Sequence, residues 1–97
     1  MGKELKTYIK IIDAHREYLR KNYNVKSIGI FGSVARGEKK TNDVDILVGF
    51  TEPIGLFDFV GLQYYLRRIL KKKVDLATKG ALKPLIKKDI LKETVYA

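Results

Sequence analysis

Three aspartates, Asp43, Asp45 and Asp75, interrupt segments that are otherwise apolar and β-branched. Successive side chains on a strand point to opposite faces, so Asp43 and Asp45 share one face of the segment DVDILVGF and repel each other about 7 Å apart at the backbone. A packed sheet keeps such a pair only when the charges are compensated, and carboxylate oxygens are natural ligands of Mg²⁺. With Asp75 from a further strand, they predict a site for two Mg²⁺ ions about 3.5–4 Å apart, a separation that suits phosphoryl transfer.

A second group of residues, Gly32, Ser33 and Arg36, is suited to binding phosphate. Gly32 and Ser33 directly follow the β-branched segment that ends at Phe31. A glycine at the end of a strand lets the backbone approach a phosphate closely, and backbone N–H groups there can form an anion-binding nest. Ser33 adds a hydroxyl donor, and a helical turn over 34–36 would favour negative charge at its N-terminus. Arg36 would then place a cation beside the same phosphates.

Hydrophobic spacing predicts the elements that must hold these residues. Apolar residues at three- and four-residue steps predict amphipathic helices, and short β-branched runs predict strands. The helices are expected over residues 3–22, 56–71 and 82–92, and the strands over Val25–Phe31, Asp43–Phe50 and Lys73–Thr78. The segment 32–42 is polar and rich in turn formers. The predicted order is α-β-turn-β-α-β-α, a small α/β domain on a three-stranded sheet, and 97 residues leave room for one domain over 1–97.

Composition excludes several classes of protein. The chain has no cysteine, which excludes disulfides, Cys-containing zinc sites and thiol nucleophiles, and its single histidine, His15, cannot supply an H-E-x-x-H site. The net charge of +9 suits a polyanionic partner. The apolar runs are far shorter than the roughly 20 residues of a membrane helix, and the start lacks a signal-peptide pattern. We therefore expect a soluble, cytoplasmic protein with no membrane partner.

Taken together, these residues resemble a known superfamily. Gly32-Ser33, followed after nine residues by Asp43-Val44-Asp45, with Asp75 in a later strand, resembles the DNA polymerase beta-type nucleotidyltransferases. More narrowly, GSVARGEKKTNDVDILV resembles the minimal nucleotidyltransferases (MNT proteins), which are often antitoxins paired with HEPN-domain toxins. The resemblance covers nearly the whole chain. It implies the polymerase beta-like fold, a small α+β arrangement with a three-stranded mixed sheet packed with helices.

The resemblance implies roles for the three carboxylates. Asp43 and Asp45 correspond to the metal-binding pair, and Asp75 corresponds to the third carboxylate, which helps to deprotonate the incoming hydroxyl. All three are therefore expected to be both catalytic residues and metal ligands. Asn42 departs from the family pattern, because relatives often carry serine immediately before the first aspartate; asparagine still offers a short polar side chain.

The resemblance also assigns the phosphate-binding residues. Gly32 and Ser33 correspond to the pair that holds the phosphates of the nucleoside triphosphate, and Arg36 and Gly37 correspond to the A-R-G that commonly follows. The implied reaction is Mg²⁺-dependent transfer of AMP from ATP to a hydroxyl with release of pyrophosphate. The implied acceptor is a tyrosine of a cognate HEPN ribonuclease toxin, which the modification silences.

Other functions remain open at this stage. The chain could be a non-catalytic antitoxin that inhibits a HEPN partner by docking, although docking needs no trio of carboxylates. It could also be a basic nucleic-acid binder, which is disfavoured because no helix-turn-helix is evident and the positive residues are spread along the chain.

Several local patterns have simpler explanations than chemistry. The segment Gly32–Gly37 nearly matches a P-loop, but Glu38 stands where the lysine is required. His15 lies beside the apolar stripe of the first helix, so a structural role is expected. Tyr64 and Tyr65 adjoin the apolar face of their helix and are expected to pack there, with stacking on a base as the alternative.

Overall fold

The fold is an alternation of helices and strands, and the computed structural model describes residues 2–38 and 43–97. In chain order the elements are α1 Lys3–Ala14, α2 Arg16–Tyr23, β1 Val25–Phe31, α3 Gly32–Ala35, β2 Asp43–Phe50, α4 Leu56–Leu70, β3 Lys73–Thr78, a 3₁₀ turn Lys79–Ala81, α5 Pro84–Glu93 and β4 Val95–Tyr96. The α/β class and the bounds of the three predicted strands are confirmed. Asn42, where the sequence departs from the family pattern, lies outside the described residues.

The strands form one mixed sheet in the order β3-β2-β1-β4. Strand β1 runs antiparallel to both β2 and β4, whereas β2 and β3 run parallel. A parallel pair needs a long crossover connection, and α4 provides it. The mixed character of the sheet is therefore as expected, and β2 lies between its antiparallel and its parallel neighbour.

The hydrophobic core lies between one face of the sheet and the helices α1, α2 and α4. On β2 the side chains of Val44, Ile46 and Val48 are buried in this core, whereas Asp43 and Asp45 point to the other face and are only half-buried. The alternation of apolar and acidic residues therefore matches the two faces of the sheet. Helix α5 has no buried residue and contacts β1 and α3 instead of joining the core.

The prediction of one continuous first helix is wrong, because the helix breaks at His15 into α1 and α2. In a regular helix the His15 N–H would donate to the Ile11 carbonyl; here the imidazole Nδ1 donates to that oxygen at 2.8 Å. The His15 backbone N–H donates to the Ile12 carbonyl instead, at 3.0 Å. The side chain thus competes with the backbone for one acceptor and ends the helix. These contacts are those expected of a structural histidine.

The two neighbouring tyrosines of α4 differ in their surroundings. Tyr65 is half-buried, packs against the core and stacks on Tyr18 with ring centroids 4.5 Å apart. Tyr64 is 63% exposed, so the prediction that it packs in the core is wrong. The two residues are adjacent on a helix, where each step turns the side chain by about 100°, and only one of them faces the core.

The sheet has four strands, and the prediction of three missed the short strand β4. Its two residues pair with β1 in the register Gly29↔Tyr96 and Ile30↔Val95. A side chain at Gly29 would collide with this strand, since a Cβ there would lie 2.9 Å from the Val95 carbonyl oxygen. Two residues are too few to show a strand period, so the sequence pattern gave no sign of β4.

No helix within residues 2–38 and 43–97 combines the length and the apolar character required to cross a bilayer.

We expect the core of the described fold to carry most of its stability. Leu62 is fully buried in α4, whereas Leu85 in α5 is 94% exposed. Leu62→Ala should lower the free energy of unfolding in urea by about 2–5 kcal/mol because it leaves a cavity. Leu85→Ala, the matched control, should change it by less than about 0.5 kcal/mol. Equal losses in the two variants would show that α4 does not pack as described.

Candidate active site

The register of the parallel strands brings the three aspartates together. Asp45 on β2 is aligned with Asp75 on β3, and Asp43 lies two residues earlier on β2, on the same face as Asp45. Neighbouring strands lie about 4.8 Å apart, so this alignment makes Asp45 and Asp75 close neighbours. Asp43 and Asp45 are half-buried and Asp75 is exposed, so the group opens to solvent on the β3 side.

The electrostatic environment of Asp45 reflects this grouping. Burial raises the pKa of the Asp45 carboxyl, and the negative charges of Asp75 and Asp43 raise this pKa further. Arg36 acts in the opposite direction and lowers it. Glu93 raises this pKa as well, so three acids and one cation act on this carboxylate, which places Arg36 and Glu93 beside the acidic group.

The donor set at this place fits a hard divalent cation. Three carboxylates from two adjacent strands supply oxygen ligands. The negative charges of Asp43 and Asp75 repel that of Asp45, and a bound cation would reduce this repulsion. Among the residues the structure describes, no three acidic or histidine side chains are already arranged as a ligand group. The backbone therefore brings the carboxylates to one place without arranging them as a complete ligand group.

Gly32 lies in direct contact with this acidic group. The antiparallel register places Phe31, the residue before it, opposite Asp45. Gly32 is buried and has a φ of +72°, and a Cβ at this position would overlap the Oδ2 atom of Asp45. Only glycine fits both the backbone conformation and the space. The glycine of the predicted phosphate-binding pair is thus packed against the central carboxylate.

The turn after Gly32 carries the other predicted phosphate-binding residues. Helix α3 begins at Gly32, two residues before the predicted helical turn at 34–36, and Ser33 lies half-buried within it. The Ser33 carbonyl accepts the Glu38 N–H at 3.0 Å, which closes the turn around Arg36. All six predicted residues, Gly32, Ser33, Arg36, Asp43, Asp45 and Asp75, therefore lie in one region.

Two carboxylates hold the Arg36 side chain, and sequence analysis predicted neither. Arg36 Nε donates to Glu38 Oε2 at 2.6 Å, and Arg36 Nη1 lies 3.1 Å from Glu93 Oε1. Hydrogen bonds to Glu38 and Glu93 raise the pKa of the Arg36 guanidinium above its already high value, so the group stays charged. Glu93 also accepts the backbone N–H of Gly32 at 2.6 Å. The absence of any sequence signal for β4, which follows Glu93, explains why this residue was missed.

A separate surface cleft of about 280 Å³ lies between the start of α1 and the turn after α3, where Lys3, Leu5, Val34 and Gly37 contribute to its lining. None of the three aspartates lines it. It therefore does not compete with the acidic group as the candidate active site.

Comparison with known proteins gives consistent results over most of the chain. Residues 12–97 match the family described as a nucleotidyltransferase domain. The protein adenylyltransferase MntA of Thermococcus cleftensis is 47% identical over 87 residues, which cover 89% of this chain and 88% of that protein. This similarity extends across the strands and turns that hold the six site residues.

Solved structures share the fold. A structure provisionally assigned as a minimal nucleotidyltransferase superposes with a TM-score of 0.78 at 30% identity, covering 98% of this chain and 95% of that chain. A tri-AMPylated Shewanella oneidensis HEPN toxin in complex with MNT antitoxin also contains this fold, with a TM-score of 0.65 at 19% identity and coverage of 92% and 70%. The resemblance drawn from GSVARGEKKTNDVDILV is confirmed: the chain belongs to the nucleotidyltransferase domain family and, within it, to the minimal nucleotidyltransferases.

Proposed function

We propose that this protein transfers AMP from ATP to a hydroxyl of a partner protein in the cytoplasm, and that the partner is a HEPN-domain toxin silenced by the modification. The observation that carries the proposal is the alignment of Asp45 with Asp75 beside Gly32. Docking on a partner does not require like charges grouped beside a glycine turn, whereas binding of a divalent cation does use such a group of carboxylates. The relative from Thermococcus cleftensis is named a protein adenylyltransferase, which supports AMP as the transferred group.

The acidic group would be the metal centre of this reaction. Asp43, Asp45 and Asp75 would hold two Mg²⁺ ions, which when bound would activate the attacking hydroxyl and neutralise charge on the departing pyrophosphate. The partly buried Asp45, whose pKa its neighbours raise, has the environment in which a divalent cation is most favoured. The absence of histidine and cysteine from the site agrees with a cation that prefers oxygen ligands.

The turn at α3 would hold the triphosphate. Gly32 has no side chain, which lets this turn pack directly against Asp45 and so keeps Ser33 and Arg36 close to the acidic group. Ser33 offers its hydroxyl, and Arg36 offers a permanently charged guanidinium within the same turn. These groups fix the β- and γ-phosphates, which leaves the α-phosphate directed at the acidic group.

The transfer step follows from this placement. The acceptor hydroxyl gives its proton toward Asp75, its oxygen forms a bond to the α-phosphorus, and the bond between the α-phosphorus and the bridging oxygen breaks. Pyrophosphate leaves with that oxygen. Asp75 is the exposed member of the group, so a hydroxyl carried by a separate protein can reach it.

The surface supports a protein partner. Large apolar side chains are exposed on two helices: Leu56, Phe57, Val60 and Tyr64 on α4, and Leu85 and Ile86 on α5. An MNT antitoxin of the same fold is found in complex with a tri-AMPylated HEPN toxin, which makes a HEPN tyrosine our proposed acceptor. The same exposed residues would also serve the second candidate function, inhibition of the toxin by docking alone.

Intact-mass measurement of a HEPN partner incubated with this protein, ATP and Mg²⁺ tests the proposal. We expect the partner to gain one or more AMP units, and Asp45→Asn to slow the gain at least about 100-fold because it removes a central ligand. Asp13→Asn is the matched control, since Asp13 is exposed near the end of α1, a helix that packs on the core face of the sheet, opposite the three aspartates. A partner that is inhibited without gaining mass, equally by wild type and Asp45→Asn, would establish docking instead.

A comparison of two glycines tests the contact at the phosphate-binding turn. Gly32 and Gly37 have nearly equal positive φ angles, +72° and +74°, but a Cβ at Gly37 meets no atom of the described residues within 4 Å. Gly37→Ala should therefore lower the free energy of unfolding only by the backbone strain, about 1–2 kcal/mol. Gly32→Ala should lower it more and should abolish AMP transfer, because its Cβ displaces Asp45. Equal unfolding free energies for the two variants would mean that Gly32 and Asp45 are not in contact.

A further inference from the structure

Glu93, the last residue of α5, forms hydrogen bonds with Gly32 and Arg36, two residues of the turn that we propose binds the triphosphate. Its Oε2 accepts the Gly32 N–H at 2.6 Å, and Arg36 Nη1 bridges its two oxygens at 3.1 and 3.2 Å. The Glu93 side chain is 26% exposed, against 53% for Glu38, the other carboxylate on Arg36. Glu93 is thus the better shielded of the two, and charge-assisted hydrogen bonds are stronger where water is excluded.

The backbone fixes this contact. Ile30 pairs with Val95 in the antiparallel register of β1 and β4; Gly32 directly follows β1, and Glu93 lies two residues before Val95, so the strand pairing brings these two chain segments together. Beyond β4 the Ala97 N–H donates to the Ile28 carbonyl at 2.9 Å, so hydrogen bonding between the C-terminal segment and β1 continues past β4. Glu93 therefore lies beside Gly32 because both are anchored to the same strand, and not through a chance side-chain conformation.

We propose that Glu93 is a positioning residue for the transfer reaction: its carboxylate holds the Gly32 turn and aims the Arg36 guanidinium at the triphosphate. This inference rests on the proposed function. Gly32 has one N–H and donates it to Glu93, so it offers no donor to the phosphates, and its contribution is to let the turn pack closely against Asp45. Ser33 and the outward face of Arg36 then provide the hydrogen-bond donors.

The contacts define a positioning role and not a catalytic one. Both oxygens of Glu93 accept hydrogen bonds from Gly32 and Arg36, so its contacts in this structure are with the proposed phosphate-binding turn and not with the three aspartates. A carboxylate is required because Arg36 Nη1 lies between both oxygens. In Glu93→Gln one of those oxygens becomes an NH₂ group, which would face the N–H donors of the guanidinium and turn Arg36 away.

The KM for ATP and the kcat of AMP transfer test this role when measured separately. Glu93→Gln should raise the KM about tenfold, since it breaks a hydrogen bond between charged groups, and should change kcat by less than about threefold. Asp89→Asn is the control: Asp89 is an exposed acid one turn earlier on α5, and its loss removes the same charge. It should change neither constant. In the Arg36→Ala background, Glu93→Gln should raise KM by less than it does in the wild type, because only the contact with the Gly32 N–H is left to weaken.

Three outcomes would overturn the inference. An unchanged KM in Glu93→Gln would show that the contact does not position the substrate, and a lowered KM would show that Glu93 competes with the phosphates. Parallel losses in kcat and thermal stability would indicate a purely structural contact. Glu93→Asp, which keeps the charge but shortens the side chain, should raise KM less than Glu93→Gln.

If the wild type transfers no AMP, the proposed function itself fails. Equilibrium dialysis with a non-hydrolysable ATP analogue then shows separately whether Glu93→Gln weakens nucleotide binding.

Discussion

Repulsion between Asp45 and Asp75, which lie side by side on parallel strands, is the constraint on which the rest of this structure depends. The hydrophobic core imposes it: Val44, Ile46 and Val74 are buried on the opposite face of the same strands. A slip of one residue would move these apolar side chains into solvent, so burial fixes the register despite the like charges. The free energy of the core thus maintains a group of like charges whose repulsion a bound divalent cation would relieve.

Strand pairing also places the turn at Gly32, which we propose binds phosphate. Strand β1 carries Gly32 to the side of Asp45, and its pairing with β4 carries Glu93 to the other side of Gly32. Arg36 is then held between Glu93 and Glu38. Strand β1 therefore positions Gly32 and the Arg36 guanidinium relative to the aspartates. Strand β4 completes the arrangement by bringing Glu93 to this turn.

Sequence reasoning succeeded where a residue pattern has a period that packing must satisfy. The alternation along Asp43–Phe50 predicted both the strand and the face of its aspartates, because a buried face leaves no other solution. Sequence reasoning failed where a single contact determines the local structure. The break at His15 depends on an imidazole that takes a backbone acceptor, and Glu93 depends on a two-residue strand without a period. The six residues predicted for the site lie in one region of the structure; the carboxylates that hold Arg36 were not foreseen, since their contacts depend on the fold of the whole chain.

The central claim is that Asp43, Asp45 and Asp75 jointly hold the cations that present ATP for transfer. The most direct measurement is the anomalous diffraction of crystals grown with Mn²⁺, which substitutes for Mg²⁺, and a non-hydrolysable ATP analogue. The account predicts two metal peaks ligated by these three carboxylates, with the triphosphate lying along the turn at Gly32 and Ser33. Metal peaks bound to the phosphates alone, remote from all three aspartates, would contradict it.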